Sequence, residues 1–201
     1  MISEDLRDRI LEIAWQAARA VPDPELPFLT VGDLGVLRSV SLEGEQLQIA
    51  VSPTYSGCPA VTVIETSIKS AVTEALDEAL TDTESLTGVE VTRALSPAWT
   101  SDDLSAEARA KLLENGIAPP VSTVGFAGDR SIANANVTSD TANTSDYSQL
   151  QPNFFAEAEV NCPRCQSSNT QRISEFGSTP CKSQYRCESC KEPFDHFKCL
   201  R

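Results

Sequence analysis

Six of the chain's seven cysteines stand in its last 40 residues. Four of those form two Cys-x-x-Cys pairs, Cys162-Pro-Arg-Cys165 and Cys187-Glu-Ser-Cys190, separated by 21 residues. Each pair places two thiolates on one tight turn, and two such turns complete a tetrahedral sulfur shell, with zinc–sulfur distances of about 2.3 Å. The separation slightly exceeds the usual ~15–20 residues, so a longer hairpin is expected between the pairs. TQRIS (170–174), SQYR (183–186) and PFDHFK (193–198) supply the β-branched and aromatic content of its strands. The pattern predicts a zinc β-ribbon over 159–201 in which Cys162, Cys165, Cys187 and Cys190 bind one structural zinc. An iron–sulfur centre is the competing occupant, because it too favours four thiolates. A redox role fits poorly: there are two pairs, and neither sits in a thioredoxin-like βαβ pattern. Cys181 and Cys199 are left over, readable as small packing groups or as an auxiliary thiol pair. His196, the single histidine, reads as a strand residue rather than a ligand.

The 201 residues suit one domain plus a smaller module. MISEDLRDRI is acidic and mixed, unlike a signal peptide, and no stretch is long enough to span a bilayer; a cytoplasmic protein is expected. Seven cysteines in that reducing compartment are better metal or redox candidates than disulfide partners. Net charge is −13, distributed as −12 over residues 1–120, −4 over 121–160 and +3 over 161–201. Nonspecific nucleic-acid binding needs concentrated positive charge, and the N-terminal part has none.

Within residues 1–120, Ser3 can cap a helix over 3–20 whose apolar residues Leu6, Ile10, Ile13, Ala14 and Ala17 recur at helical spacing. VPDPELP ends it, since three prolines forbid regular structure. LGVLRSVSL and LQIAVSP flank an EGE turn and predict a hairpin. Residues 58–80 form a second helix with Val61, Ile64, Ile68, Val72 and Leu76 on one face; 89–95 form a third strand and 102–115 a third helix closed by Gly116. Helices on one small sheet make an α+β or α/β sandwich, and the step from second to third strand should be a right-handed parallel crossover. Residues 121–158 are rich in Ser, Thr, Asn, Ala and Asp without period, which predicts a flexible linker.

TYSGCPA (54–60) holds the seventh cysteine. Pro59 suits the first position of a helix, which would make Cys58 its N-cap. A thiol there faces the positive end of the helix dipole, a setting that favours thiolate. On these grounds alone Cys58 is equally a reactive or metal-binding thiol and a small buried residue.

VPDPELPFLTVGDLGVLRSV (21–40) together with SPTYSGCPA (52–60) resembles the iron–sulfur assembly domain family, to which bacterial SufT belongs. With LSPAWTSDDLS (95–105), ENGIAPP (114–120) and the tail CPRC…SEFGSTPCK…YRCESCKEPFDHFKCL, the chain more closely resembles the PaaD family. Those proteins are small accessory subunits encoded with the phenylacetyl-CoA ring epoxidase. The resemblance covers about 160 residues and skips the linker. It departs at Asp103, where the family usually has an aromatic, and in the length of the linker.

The resemblance implies an α+β fold: a small three-stranded sandwich over 1–120, the linker 121–158 and the ribbon 159–201. It implies an accessory role in phenylacetate degradation, assisting iron–sulfur or di-iron maturation of the epoxidase, with the oxygenase and reductase subunits as partners. Cys58 would hold iron or a cluster transiently, and Asp23, Glu25 and Thr54 would complete or orient that site. Asp23 reads equally as a turn-capping residue and Glu25 as a solvated one. Three other readings stay open: a purely structural subunit, a nucleic-acid-binding ribbon protein, and an enzyme. Against the last, the chain shows no acid–base pair, nucleophile triad or phosphate loop.

Overall fold

A computed structural model describes residues 3–54, 60–80, 86–120 and 159–198 of the 201. The expected linker 121–158, Cys58 and Cys199 lie outside the described residues. The first element, α1 (Glu4–Ala20), starts where Ser3 accepts the Leu6 amide (3.3 Å), carries acids in its first turn and Arg19 in its last, and buries Ile10, Ala14 and Ala18. After it, Val21 and Val31 join through a backbone hydrogen bond (2.8 Å), and Pro22 bridges Thr30, so the proline-rich stretch closes into a loop.

A four-residue helix follows that the sequence pattern did not reveal, α2 (Val31–Leu34). Thr30 and Asp33 form a reciprocal capping box around its start, and Gly35 ends it at φ 65°. Strands β1 (Leu37–Glu43) and β2 (Gln46–Val51) make the expected hairpin, turning through Gly44 at φ 64°. Helix α3 (Val61–Ala79) and strand β3 (Gly88–Arg93) come next. The sheet order is β1-β2-β3, antiparallel then parallel, so α3 is the crossover between β2 and β3.

Period-two alternation sends Leu47, Ile49 and Val51 of β2 inward, against Ile64, Ile68, Val72 and Leu76 of α3 and the buried stripe of α1. The opposite face of the sheet is polar, with Gln46 and Gln48 both bonded to Glu90.

The single helix expected over 102–115 is two elements, a 3-10 turn (Ser101–Asp103) and α4 (Ala106–Glu114). Thr100 and Asp103 close the turn with their own capping box, Leu104 is extended, and Ser105 then caps α4 through the Ala108 amide (2.9 Å). Gly116, at φ 74°, leads into β4 (Ile117–Ala118).

The C-terminal part contains β5 (Thr170–Ser174), β6 (Lys182–Cys187) and β7 (Pro193–Phe197), the three strands expected of the ribbon. They are joined by a fourth. Strand β4 pairs in parallel with β7, Ile117 opposite Asp195 and Ala118 opposite His196, so the second sheet runs β4-β7-β6-β5. Phe197 is 1% exposed within the same buried cluster as Trp99, Leu104, Ala108, Leu112 and Ile117. Its ring meets Trp99 edge-on at 6.2 Å between centroids.

Candidate metal centre and the loops of the sandwich

The four Sγ atoms of Cys162, Cys165, Cys187 and Cys190 lie within 4.8 Å of one another, the only such group of three or more potential ligands among the described residues. Cys165–Cys187 stand 3.5 Å apart and Cys162–Cys190 3.8 Å. A tetrahedron with ~2.3 Å metal–sulfur bonds has edges of about 3.8 Å. Donor chemistry and spacing therefore fit a tetrathiolate metal site.

The two turns that carry the thiols share one construction. In each, the residue after the second cysteine adopts a left-handed backbone, Gln166 at φ 62° and Lys191 at φ 66°. The first cysteine's amide then reaches the carbonyl two residues beyond the second, Cys162 to Ser167 and Cys187 to Glu192, both at 2.9 Å. Ser167 and Ser189 hydroxyls bridge the turns at 2.8 Å. Cys162 and Cys187 are buried, whereas Cys165 and Cys190 face solvent.

Crowding polarises the thiols. The Cys190 amide points at Cys187 Sγ (3.4 Å) and, outweighing burial with help from the other thiols, lowers the Cys187 pKa to about 6. At Cys190 the Glu192 amide lowers the pKa, but burial and the three neighbouring thiols prevail and push it to about 12. The two thiols of the second turn are thus pushed in opposite directions by the amides and sulfurs around them.

The remaining ribbon residues fall as follows. Cys181 packs against the core of the sandwich and contacts the Thr179 hydroxyl at 3.1 Å. His196 is a strand residue on β7, its Nδ1 3.2 Å from Ser183 Oγ and its ring edge-on to Tyr185. Nε2 is buried and, among the described residues, has no hydrogen-bond partner, and burial, reinforced by the charge of Arg172, lowers its pKa to about 4.

In the sandwich, Asp23 is buried and its Oδ1 accepts the amides of Glu25 and Leu26, both at 2.8 Å. That is turn capping, which ties down the proline-rich loop. Glu25 is half-buried on that loop, and Thr54 is half-buried beyond β2. Among the described residues no hydrogen bond or ion pair joins Asp23 or Glu25 to Thr54. The two loops hang from adjacent supports, because the Ser52 amide bonds to the Val36 carbonyl just beyond α2 (2.8 Å). Among the described residues α3 begins at Val61, preceded by Ala60 in helical backbone; the expected capping position of Cys58 lies outside the described residues.

Sequence reasoning missed a polar clamp around α2. Lys111 of α4 donates to Asp33 Oδ2 at 2.6 Å, and Arg38 holds both oxygens of Asp103 at 3.0 and 3.1 Å. Burial raises the Asp33 carboxyl pKa, but donation from Lys111 and Thr30 outweighs it and the net direction is down. Arg38 lowers that of Asp103. The Trp99 indole N–H donates to the Leu34 carbonyl at 2.7 Å. The Asp-Leu-Gly and Ala-Trp-Thr motifs, far apart in sequence, are thus two halves of one contact. Their residue types were visible in the sequence, but their pairing was not.

An α+β sandwich of the iron–sulfur assembly type, joined to a four-cysteine ribbon, is the class that these features define. A model described as "Iron-sulfur cluster assembly protein" matches residues 12–84, and one described as "PaaD zinc beta ribbon domain" matches residues 148–198. A protein of Escherichia coli (strain K12), provisionally named as one of the subunits of 1,2-phenylacetyl-CoA epoxidase, is 42% identical over 186 residues, covering 92% of this chain and 91% of the relative. The chain belongs to the PaaD family of phenylacetyl-CoA epoxidase subunits. A solved structure of the Domain of Unknown Function DUF59 from Bacillus anthracis is similar at 23% identity, covering 55% of this chain and 97% of that one, with a TM-score of 0.42. Among the described residues no helix is long and apolar enough to cross a membrane.

Proposed function

We propose that the chain is a cytoplasmic accessory subunit of phenylacetate degradation that assists iron–sulfur or di-iron maturation of the phenylacetyl-CoA epoxidase. One observation carries the reading. The iron–sulfur assembly match over 12–84 spans both loops bearing the candidate residues, in a chain 42% identical to an epoxidase subunit along nearly its whole length. The topology supports it: the loop carrying Thr54 and Cys58 leaves the C-terminal end of β2, which runs parallel to β3, and leads to the start of α3. In open α/β sheets that end is where ligands gather. In this reading the Cys58 thiolate takes iron or a cluster in transit, Thr54 and Glu25 border it, and Asp23 fixes the proline-rich loop. The oxygenase and reductase subunits of the epoxidase are the clients. The ribbon holds zinc through Cys162, Cys165, Cys187 and Cys190 as a structural ion, and Cys181 and Cys199 are auxiliary to it. The domain units are 1–120 and 159–201, joined by 121–158.

The second reading is a purely structural subunit, favoured by the Asp23 carboxylate already serving two backbone amides. Cys58→Ser separates the two. It removes the thiolate and keeps a side chain of nearly the same size. The maturation reading expects unchanged thermal stability, lost epoxidase activity in cells, and low iron in the oxygenase or reductase purified from them. Full activity with normal iron would establish the structural reading instead.

A further inference from the structure

The ribbon ends inside the sandwich. Phe197 is the last residue of β7, and β7 is held from two sides: by β6 through five residue pairs, Lys182–Phe197 to Arg186–Pro193, and by β4 of the preceding segment. The turn joining β6 to β7 is the second cysteine turn, running from Cys187 to Glu192. A metal held by the four thiols therefore fixes the closed end of the hairpin whose other end delivers Phe197. The ribbon has little else to hold it. Its buried cluster, apart from Ala118 of β4, is Val160, Cys162, Tyr185, Cys187 and Phe194, and two of these five are candidate ligands. A core that small does not sustain a fold without a metal or other staple.

On the other side, Phe197 lies edge-on to Trp99, which donates to the last carbonyl of α2. Trp99 opens the stretch whose Asp103 and Lys111 reach back to Arg38 and Asp33. The contacts are continuous: cysteine turn, β6–β7 hairpin, Phe197, Trp99, Leu34, and the α2 turn between the two loops of the proposed site.

We propose that the ribbon metal governs a clasp: with the four thiols liganded, Phe197 seats against Trp99 and holds the α2 turn, and without the metal this contact opens. Trp99 is then a positioning residue acting through α2, and the ribbon regulates the order of the sandwich loops. The proposal rests on the reading that the four thiols hold a metal. It does not depend on Cys58 carrying iron.

The test is amide hydrogen exchange on the full chain, comparing zinc-loaded protein, chelator-stripped protein and zinc-loaded Phe197→Ala, with zinc content measured in each. Stripping is expected to speed exchange at least ~10-fold in 30–37 and 101–118, while amides of β2 and α3 stay protected. Phe197→Ala should give that same local pattern with one zinc still bound, which separates loss of the clasp from loss of the metal. Phe197→Leu, retaining an apolar plug, should fall between wild type and Ala. Unchanged exchange in 30–37 and 101–118 after stripping would overturn the clasp. So would a uniform rise across the sandwich, or a fully protected α2 turn in Phe197→Ala.

Discussion

Gly35 and Gly44 have almost the same left-handed backbone, at φ 65° and 64°, in very different surroundings. A Cβ on Gly44 would meet nothing within 4 Å, whereas one on Gly35 would stand 2.2 Å from the Asp103 carbonyl oxygen. The left-handed conformation alone costs a non-glycine residue about 1–2 kcal/mol. Backbone overlap at Gly35 adds about 1–3 kcal/mol, because the 3-10 turn must move. Gly44→Ala should therefore lower stability by about 1 kcal/mol and Gly35→Ala by about 3 kcal/mol or more, as read from denaturant midpoints. His196 sets an acid limit at the same scale. Its folded pKa of about 4 lies below the ordinary ~6.5, so the fold keeps the ring neutral. Above pH ~6.5 both states are neutral and the residue contributes nothing to pH dependence. As pH falls from there towards 4 the unfolded chain gains the proton first and stability drops, by about 3 kcal/mol in all. The thiols also take up protons and release metal over part of this range. The measurement is therefore the difference in slope between wild type and His196→Phe, which should be markedly flatter between pH 6.5 and 4.

Among the elements, α3 is the simplest case. Ile68 and Val72 are wholly buried at its centre, between α1 and the sheet. Ile68→Ala should cost about 2–5 kcal/mol, and a smaller loss in thermal or urea unfolding would mean that α1 and β2 collapse onto the gap. This helix was legible because its apolar residues Val61, Ile64, Ile68, Val72 and Leu76 repeat with helical period over about four turns, and β1 and β2 were legible because alternation and the Glu-Gly-Glu turn agree. By contrast, α2 and β4 hold four and two residues, too few for any periodicity to register. The first exists because Thr30, Asp33 and Gly35 cap it at both ends, and the second because β7 offers a free edge. The split of 101–114 into two helices hangs on a second Thr–Asp capping box at Thr100, which hydrophobic spacing cannot reveal. The four candidate ligands were readable because Cys-x-x-Cys spacing is a local property of chemistry. The Arg38–Asp103 pair was not, since it joins positions 65 residues apart. It also accounts for an acid at 103 where an aromatic was expected from the family, because the acid finds a guanidinium waiting on β1.

At the scale of the whole molecule, the pairing of β4 with β7 has a bearing on how the protein is made. A chain leaves the ribosome from its N-terminus at roughly 5–20 residues per second, and domains fold as their sequence becomes available. The hairpin, α1, α3 and β3 can associate early, since their strand pairing and the stretches that carry it lie within residues 4–93. Trp99, Leu104, Leu112 and Ile117 cannot complete their packing until Phe197 has been translated. During that interval the nascent polypeptide presents an indole and several aliphatic groups without their partner, and the final strand closes the sandwich as well as the ribbon. Translation pauses or chaperone capture should therefore matter most between about residue 120 and residue 197.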